Sequence, residues 1–111
     1  EAADFLASLV AIPSVTVPTG VAPSAEAQGE AGVAAALREF LDRRGIPHQS
    51  VEVDPGRPQL TARIGTGEPE ILFTAHMDTV PPVSWDRDPY LPLRDGHRLF
   101  GLGACDNKAS I

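Results

Sequence analysis

The spacing of apolar residues predicts two amphipathic helices near the start of the chain. The first spans residues 3–12, where four apolar side chains recur at helical spacing before a proline that would end a helix: Phe5, Leu6, Leu9 and Val10. A second helix is expected to begin after Ser24, which can cap its first turn, and to end at Gly45. Its apolar stripe predicts a core-facing side made by Val33, Leu37, Phe40 and Leu41.

The apolar pattern changes to a period of two after Gly45. Residues 46–53 alternate as a strand does, and the Asp, Pro and Gly at 54–56 predict a turn. A second alternating segment follows at residues 60–64, so the two strands should form a hairpin. One face of the first strand carries Val51 and Val53.

A continuous apolar run from Ile71 to Ala75 follows the hairpin. It lacks polar alternation, as is typical of a strand covered on both faces. Two helices, two strands and a buried strand in this order indicate an α/β fold. Beyond residue 76 the chain is irregular and rich in proline, and about 30 residues without regular structure inside a compact domain are usually functional.

Composition narrows the classes of partner. The 111 residues, 42% of them hydrophobic and 22% charged, fit one globular domain at most. The formal net charge is −6, and no basic patch with interleaved aromatic residues occurs, so neither nucleic acid nor an anionic membrane surface is an expected partner. Cys105 is the only cysteine, which excludes an intramolecular disulfide and favours a reducing compartment such as the cytoplasm.

The first candidate for chemistry lies where the apolar run ends. His76 and Asp78 are two residues apart, so in an extended backbone both side chains leave the same face. A zinc-bound imidazole generally donates its other ring N–H to a carboxylate, and this pair offers both groups. By itself a His-x-Asp pair is more often part of a capped turn or a solvated loop.

The second candidate is the glycine-rich segment from Gly101 to Lys108. Its two glycines, Gly101 and Gly103, allow a close backbone approach or a positive φ, and would project Asp106 into a crowded site. A nucleotide loop does not fit, because a dinucleotide fingerprint requires glycine at the position of Asp106 and no Walker pattern is present. A carboxylate such as Asp106 could instead bridge two divalent cations and offset their mutual repulsion.

Together these segments resemble a known family, the di-zinc aminoacylase family of metallopeptidases. It includes acetylornithine deacetylase, succinyl-diaminopimelate desuccinylase and glutamate carboxypeptidase. The resemblance spans nearly the whole chain and is most specific at residues 71–108, with the strings LFTAHMDTVPP, WDRDPY and GLGACDNK; the opening LVAIPS also looks like the start of such a catalytic domain. It implies an α/β three-layer sandwich with a mixed central sheet and flanking helices.

The resemblance also implies roles for individual residues. His76 would be a ligand of one zinc, Asp78 a catalytic helper that orients His76, and Asp106 the carboxylate that bridges both zincs. The peptide bond from Asp106 to Asn107 is expected to be cis. Ala109 departs from the pattern, since the family usually has glycine there. The adjacent Glu-Glu pair that supplies the general base and another ligand is absent, so residues 1–111 are interpreted as the amino-terminal portion of one catalytic domain, without any lid or dimerisation domain.

The implied function is a cytoplasmic, zinc-dependent amidohydrolase that uses a metal-activated water on N-acyl amino acids, as acetylornithine deacetylase does. Two Zn²⁺ ions per complete chain are expected, with Co²⁺ or Mn²⁺ as possible substitutes, and a homodimer could form through a domain outside this chain. A dipeptidase or carboxypeptidase of the same family is the alternative. Two other classes stay open: a truncated non-catalytic module that keeps the fold, and a mononuclear zinc or cysteine hydrolase confined to these residues.

Other residues have simpler interpretations. Cys105 is expected to be a small buried residue beside the glycine turn, since no cysteine-hydrolase signature surrounds it. Lys108 could contact a substrate carboxylate or the active-site backbone, although a lone lysine is more often solvated. Trp85 and Tyr90 either line a substrate pocket or pin the long loop to the core. His48 and His97 are expected at the surface.

Overall fold

The computed structural model describes residues 1–111 as two α-helices and two small antiparallel sheets. The elements in chain order are α1 (Ala2–Val10), α2 (Ala31–Arg43), β1 (His48–Asp54), β2 (Arg57–Ala62), β3 (Leu93–Asp95), β4 (Arg98–Phe100) and a short 3-10 helix (Lys108–Ser110). This arrangement confirms the α/β class and is compatible with part of a peptidase-like domain. Neither α-helix is both long and apolar enough to cross a membrane.

The core forms where α1 and α2 present their apolar stripes to each other. Leu9, Val33 and Leu37 are buried there, as the helical spacing predicts, because each lies on the inward side of its helix. The aromatic rings of Phe5 and Phe40 stack with their centroids 4.2 Å apart. Partly buried side chains pack against this cluster, among them Ala36 of α2 and, from the rest of the chain, Ile12, Leu60 and Met77.

The predicted start of the second helix is wrong. Helix α2 begins at Ala31, after Glu30, and Ser24 caps a separate turn by accepting hydrogen bonds from the backbone N–H groups of Glu26 and Ala27, both at 3.2 Å. Gly29 explains the late start, since its φ of +70° belongs to the left-handed region and interrupts a right-handed helix.

The predicted hairpin is confirmed. Strands β1 and β2 pair antiparallel, with an irregularity in register between Glu52 and Asp54, next to the turn. Gly56 supplies the positive φ of the turn, +69°. Both Val51 and Val53 are exposed on β1, at 55% and 63% of their surface.

The prediction of a buried strand at Ile71 to Ala75 is wrong. The segment has no regular secondary structure, and its first three side chains, Ile71, Leu72 and Phe73, are 79–85% exposed. An apolar run becomes a strand only when a neighbouring strand pairs with its backbone, and within residues 1–111 the two sheets consist solely of β1 with β2 and β3 with β4.

The rest of the chain is irregular, as predicted, apart from one short hairpin. Strands β3 and β4 pair around the turn at Gly96, and three residues per strand are too few to give a readable alternation. A further contact joins distant loops: Thr79 N–H donates to the Ser14 carbonyl at 2.9 Å, and Thr16 N–H donates to the Thr79 carbonyl at 3.0 Å. This parallel bridge fixes the segment that follows His76 against the loop after α1.

Candidate metal site

Three predicted side chains, His76, Asp78 and Asp106, meet in space. Nδ1 of His76 lies 3.0 Å from Asp78 Oδ1 and 3.0 Å from the Asp78 carbonyl oxygen. On the other side of the ring, Nε2 lies 2.9 Å from Asp106 Oδ1. The imidazole therefore stands between two carboxylates, one from its own segment and one from the glycine-rich segment thirty residues later.

The glycine-rich segment reaches this position because its glycines permit close approach. Gly103 has a φ of +78°, and a Cβ there would lie 2.7 Å from Thr79 Cγ2. A Cβ on Gly101 would collide with Val10 of α1. The turn closes when Lys108 N–H donates to the Gly103 carbonyl at 3.0 Å, and the Asp106–Asn107 peptide bond within it is cis, as the resemblance implies. The predicted close backbone approach at Gly101 and Gly103 is confirmed.

Lys108 is not the solvated residue that sequence reasoning favoured. It is only 2% exposed, and its Nζ donates to the carbonyl oxygens of Leu9 and Ile12, both at 2.8 Å. The Leu9 carbonyl belongs to the last turn of α1, and Ile12 lies two residues beyond the end of that helix. Lys108 therefore ties the turn that carries Asp106 to the end of α1, and burial lowers its pKa to about 8.

The electrostatics of the site favour a protonated imidazole. The hydrogen bond with Asp106 is the main cause that raises the pKa of His76 above 6.5, and the contacts with Asp78 act in the same direction against partial burial. With both ring nitrogens facing oxygen acceptors, the imidazolium can donate from each. A metal ion at Nε2 has to replace the proton there.

The second carboxylate oxygen of Asp78 has partners of its own, which sequence reasoning missed. Thr16 Oγ1 donates to Asp78 Oδ2 at 2.6 Å, and Arg57 NH2 lies 3.9 Å from the same oxygen. Arg57 is bound in turn to Glu30, with Nε and NH2 each 3.0 Å from Oε1, and Glu30 raises the pKa of the guanidinium. No sequence signal marks these residues, because each belongs to a different loop or element end.

The donor set matches zinc in type. An imidazole nitrogen and a carboxylate oxygen are ordinary zinc ligands, and the Nδ1 contact to Asp78 is the second interaction that such a histidine usually makes. Two donors on one tetrahedral zinc lie about 3.3 Å apart, given bond lengths of about 2.0 Å, so the 2.9 Å separation of His76 Nε2 and Asp106 Oδ1 is a hydrogen bond that must lengthen slightly. No group of three or more His, Cys, Asp or Glu side chains that could hold a metal occurs in these residues.

The remaining sequence candidates lie apart from this arrangement. Cys105 is exposed, contrary to its predicted burial, because the turn that displays Asp106 also turns its neighbour outward. The Asp106 side chain is itself 89% exposed, so the site is open rather than crowded. His48 is more buried than expected, with a side chain 13% exposed and Nδ1 3.0 Å from the Ile46 carbonyl. His97 lies exposed in the turn between β3 and β4.

The chain is similar to two groups of curated enzymes. It is 34% identical to succinyl-diaminopimelate desuccinylase of Afipia carboxidovorans over 100% of its own length, and 36% identical to the enzyme of the same name from Bordetella pertussis over 97%. It is 36% identical to acetylornithine deacetylase of Vibrio campbellii over 73% of its length. No family model matches the chain. The chain spans about a quarter of the length of these relatives, 28%, 26% and 22% respectively.

Proposed function

We propose that this chain is the amino-terminal part of the catalytic domain of a di-zinc amidohydrolase in the family of acetylornithine deacetylase and succinyl-diaminopimelate desuccinylase. Its substrate class would be N-acyl amino acids, and the reaction the hydrolysis of their amide bond. Similarity to relatives with both names supports the family and the class of reaction. The two desuccinylase alignments cover 100% and 97% of this chain and therefore include the segments that carry His76, Asp78 and Asp106.

One geometric observation carries the proposal: His76 stands between Asp106 and Asp78, with Nε2 and Nδ1 each in contact with a different carboxylate. A histidine that only stabilised a loop would need only one carboxylate partner. Here the Asp78 carboxylate orients the ring through Nδ1. The Asp106 carboxylate places an oxygen ligand beside Nε2, the nitrogen left for a metal.

We propose one role for each of the three residues. His76 would bind one zinc through Nε2 and keep its proton on Nδ1. Asp78 accepts that proton's hydrogen bond and so selects the tautomer. Asp106, with a side chain 89% exposed at the end of the glycine turn, would offer one carboxylate oxygen to each metal. When bound, the zinc pair supplies Lewis acidity towards the amide carbonyl and a water of lowered pKa.

We propose that the other parts of the site come from the region of the relatives that this chain does not cover. We assign to that region the further metal ligands, the general base and any domain through which a homodimer forms. Zn²⁺ is the proposed metal, Co²⁺ and Mn²⁺ are candidate substitutes with the same ligand types, and the cytoplasm is the proposed compartment.

Metal content and hydrolysis of the full-length protein test this function. We expect two zinc ions per chain and release of free amine from N-acetylornithine or N-succinyl-diaminopimelate. His76→Ala should lose one zinc and reduce kcat/KM by more than the roughly 10- to 100-fold expected for removal of an outer partner of a ligand. His97→Ala, which alters an exposed histidine outside the site, is the matched control.

The alternatives predict different results. Cleavage of dipeptides but of neither N-acyl substrate would indicate a peptidase of the same family. A full-length protein without bound zinc and without hydrolysis would indicate a non-catalytic module. Activity that survives His76→Ala and disappears in Cys105→Ser would indicate a cysteine hydrolase with the exposed Cys105 as its nucleophile.

A further inference from the structure

The two oxygens of the Asp78 carboxylate have separate partners. Oδ1 faces His76 Nδ1 at 3.0 Å, whereas Oδ2 accepts the hydroxyl hydrogen of Thr16 at 2.6 Å. The contact between Thr16 and Asp78 joins residues 62 positions apart in the sequence. A carboxylate held at one oxygen cannot rotate freely about its last torsion, so the hydroxyl of Thr16 determines where Oδ1 points.

The Thr16 hydroxyl has one proton and two acceptors within reach. Asp78 Oδ2 is 2.6 Å away and the Thr79 carbonyl oxygen 3.1 Å away. The shorter contact ends on a charged oxygen, and hydrogen bonds to ionised acceptors are roughly twice as strong as neutral ones. The Thr16 backbone is fixed as well, because its N–H donates to the Thr79 carbonyl at 3.0 Å.

Arg57 supports the same orientation of the Asp78 carboxylate. Its guanidinium is fixed by Glu30, which is 7% exposed, and also donates to the Val17 carbonyl at 3.4 Å. From that position NH2 lies 3.9 Å from Asp78 Oδ2, beyond direct hydrogen bonding but within favourable Coulomb range. The Thr16 hydroxyl and the Arg57 guanidinium therefore both lie against Oδ2, and Oδ1 is left to His76.

We propose that Thr16 is a positioning residue of the metal site: its hydroxyl orients Asp78 so that Oδ1 keeps the proton of His76 on Nδ1 and leaves Nε2 for the metal. The inference rests on the proposed function for its consequence in the enzyme. Its structural part concerns only residues of this chain, so it can be measured without any metal.

In the metal-free site, the two neighbouring carboxylates favour different tautomers of His76. Asp78 favours the neutral ring with the proton on Nδ1, whereas Asp106, 2.9 Å from Nε2, favours the proton on Nε2. Removal of the Thr16 hydroxyl frees the Asp78 carboxylate to turn away from the ring and leaves the Asp78 carbonyl oxygen, 3.0 Å from Nδ1, as the remaining acceptor there. With one of two acceptors lost, the balance should shift towards the Nε2–H tautomer, which has no lone pair on Nε2 for a metal.

Three variants of the full-length protein separate this role from a general effect on folding. Thr16→Val keeps the shape and removes the hydroxyl, and Thr16→Ser restores the hydroxyl without the methyl group. Thr61→Val makes the same change at an exposed position on β2. Because Thr16 is exposed, Thr16→Val should keep its fold, which circular dichroism checks.

The first readout is the ¹⁵N NMR signal pair of the His76 ring in the metal-free protein, at a pH where the ring is neutral. The second is the dissociation constant for zinc. In Thr16→Val we expect a shift towards the Nε2–H tautomer and zinc binding weakened about 10-fold, the lower end of the range for outer partners. Thr16→Ser should regain both values, and Thr61→Val should match the wild type.

Three results would overturn the inference. If Thr16→Val leaves the ring signals and the zinc affinity unchanged while wild-type binding depends on His76, Thr16 has no positioning role although the proposed function stands. If Thr16→Ser fails to recover what Thr16→Val loses, the methyl group and not the hydroxyl matters. If the wild type binds no zinc through His76, the proposed function fails and this inference fails with it.

Discussion

His76 Nε2 and Asp106 Oδ1 lie 2.9 Å apart although thirty residues separate them in the chain. Two anchors bring them together. The bridge between the Ser14 to Thr16 segment and Thr79 fixes the loop after His76, and Lys108 ties the turn of Asp106 to the end of α1. The relationship accounts for the raised pKa of His76 and for its proposed role as a metal ligand.

The pKa of His76 should fall when Asp106 loses its charge. In Asp106→Asn the hydrogen bond that contributes most to the raised pKa is weakened, so the titration midpoint should move back towards 6.5. NMR titration of the metal-free protein measures this midpoint. Asp95→Asn, which alters an exposed carboxylate on β3, should leave it unchanged. An unchanged midpoint in Asp106→Asn would show that the two side chains are not in contact in solution.

Zinc binding should weaken as the pH falls. The metal must displace the proton on His76, and because the pKa of His76 is raised, this competition begins above pH 6.5. Below the pKa, one displaced proton lowers the apparent affinity about tenfold per pH unit. Calorimetric zinc titrations across a pH series give the slope. A flat affinity through this range would argue against His76 as a ligand.

Lys108 should make the free energy of unfolding depend on pH above 8. Its pKa is lowered from 10.5 to about 8 in the folded protein, so between these values the unfolded chain binds a proton that the folded chain lacks. Stability therefore rises with pH across this window, by about 3 kcal/mol if the whole shift is realised.

Lys108→Met removes this titration and should abolish that part of the pH dependence. Denaturant unfolding at several pH values gives the free energy of unfolding of the wild type and of the variant. The contributions of other titrating groups cancel in the difference between the two. The ¹³Cε signal of Lys108, assigned by its absence in Lys108→Met, reports the pKa directly. A midpoint near 10.5 would contradict its buried position.

Gly103→Ala should destabilise the protein and weaken zinc binding together. The added Cβ would lie 2.7 Å from Thr79 Cγ2, at a φ of +78° that other residues rarely adopt. Gly45→Ala is the matched control, since Gly45 also has a positive φ, +63°, but open space around it. The control should cost about 1–2 kcal/mol, and Gly103→Ala more, because the turn of Asp106 must shift as well. Equal costs and unchanged zinc affinity would show that the close approach is unimportant.

Local patterns predicted those elements whose formation depends on local interactions. Helix α1, the apolar stripe of α2 and the β1–β2 hairpin follow from periodicity and turn residues. The start of α2 did not, because Ser24 and Gly29 give opposite signals and the positive φ of Gly29 prevails. The strand predicted at 71–75 requires a pairing strand, and hydrophobicity alone contains no information about that partner.

The residue types of the site could be predicted from the sequence, but the contacts among its side chains could not. His76, Asp78 and Asp106 belong to recognisable strings, and the glycines before Asp106 indicated a tight approach. Thr16 and Arg57 come from a loop and from the start of β2, with no motif around them. Their contacts with Asp78 depend on how three separate segments meet, which periodicity and spacing do not describe.

The central claim is that His76 and Asp106 bind the same zinc pair. A crystal structure of the zinc-loaded full-length protein, with anomalous data collected at the zinc edge, tests it most directly. The account predicts two anomalous peaks, one of them about 2.0–2.1 Å from His76 Nε2, with an Asp106 oxygen on each. Peaks elsewhere, or a zinc bound by His76 without Asp106, would contradict it.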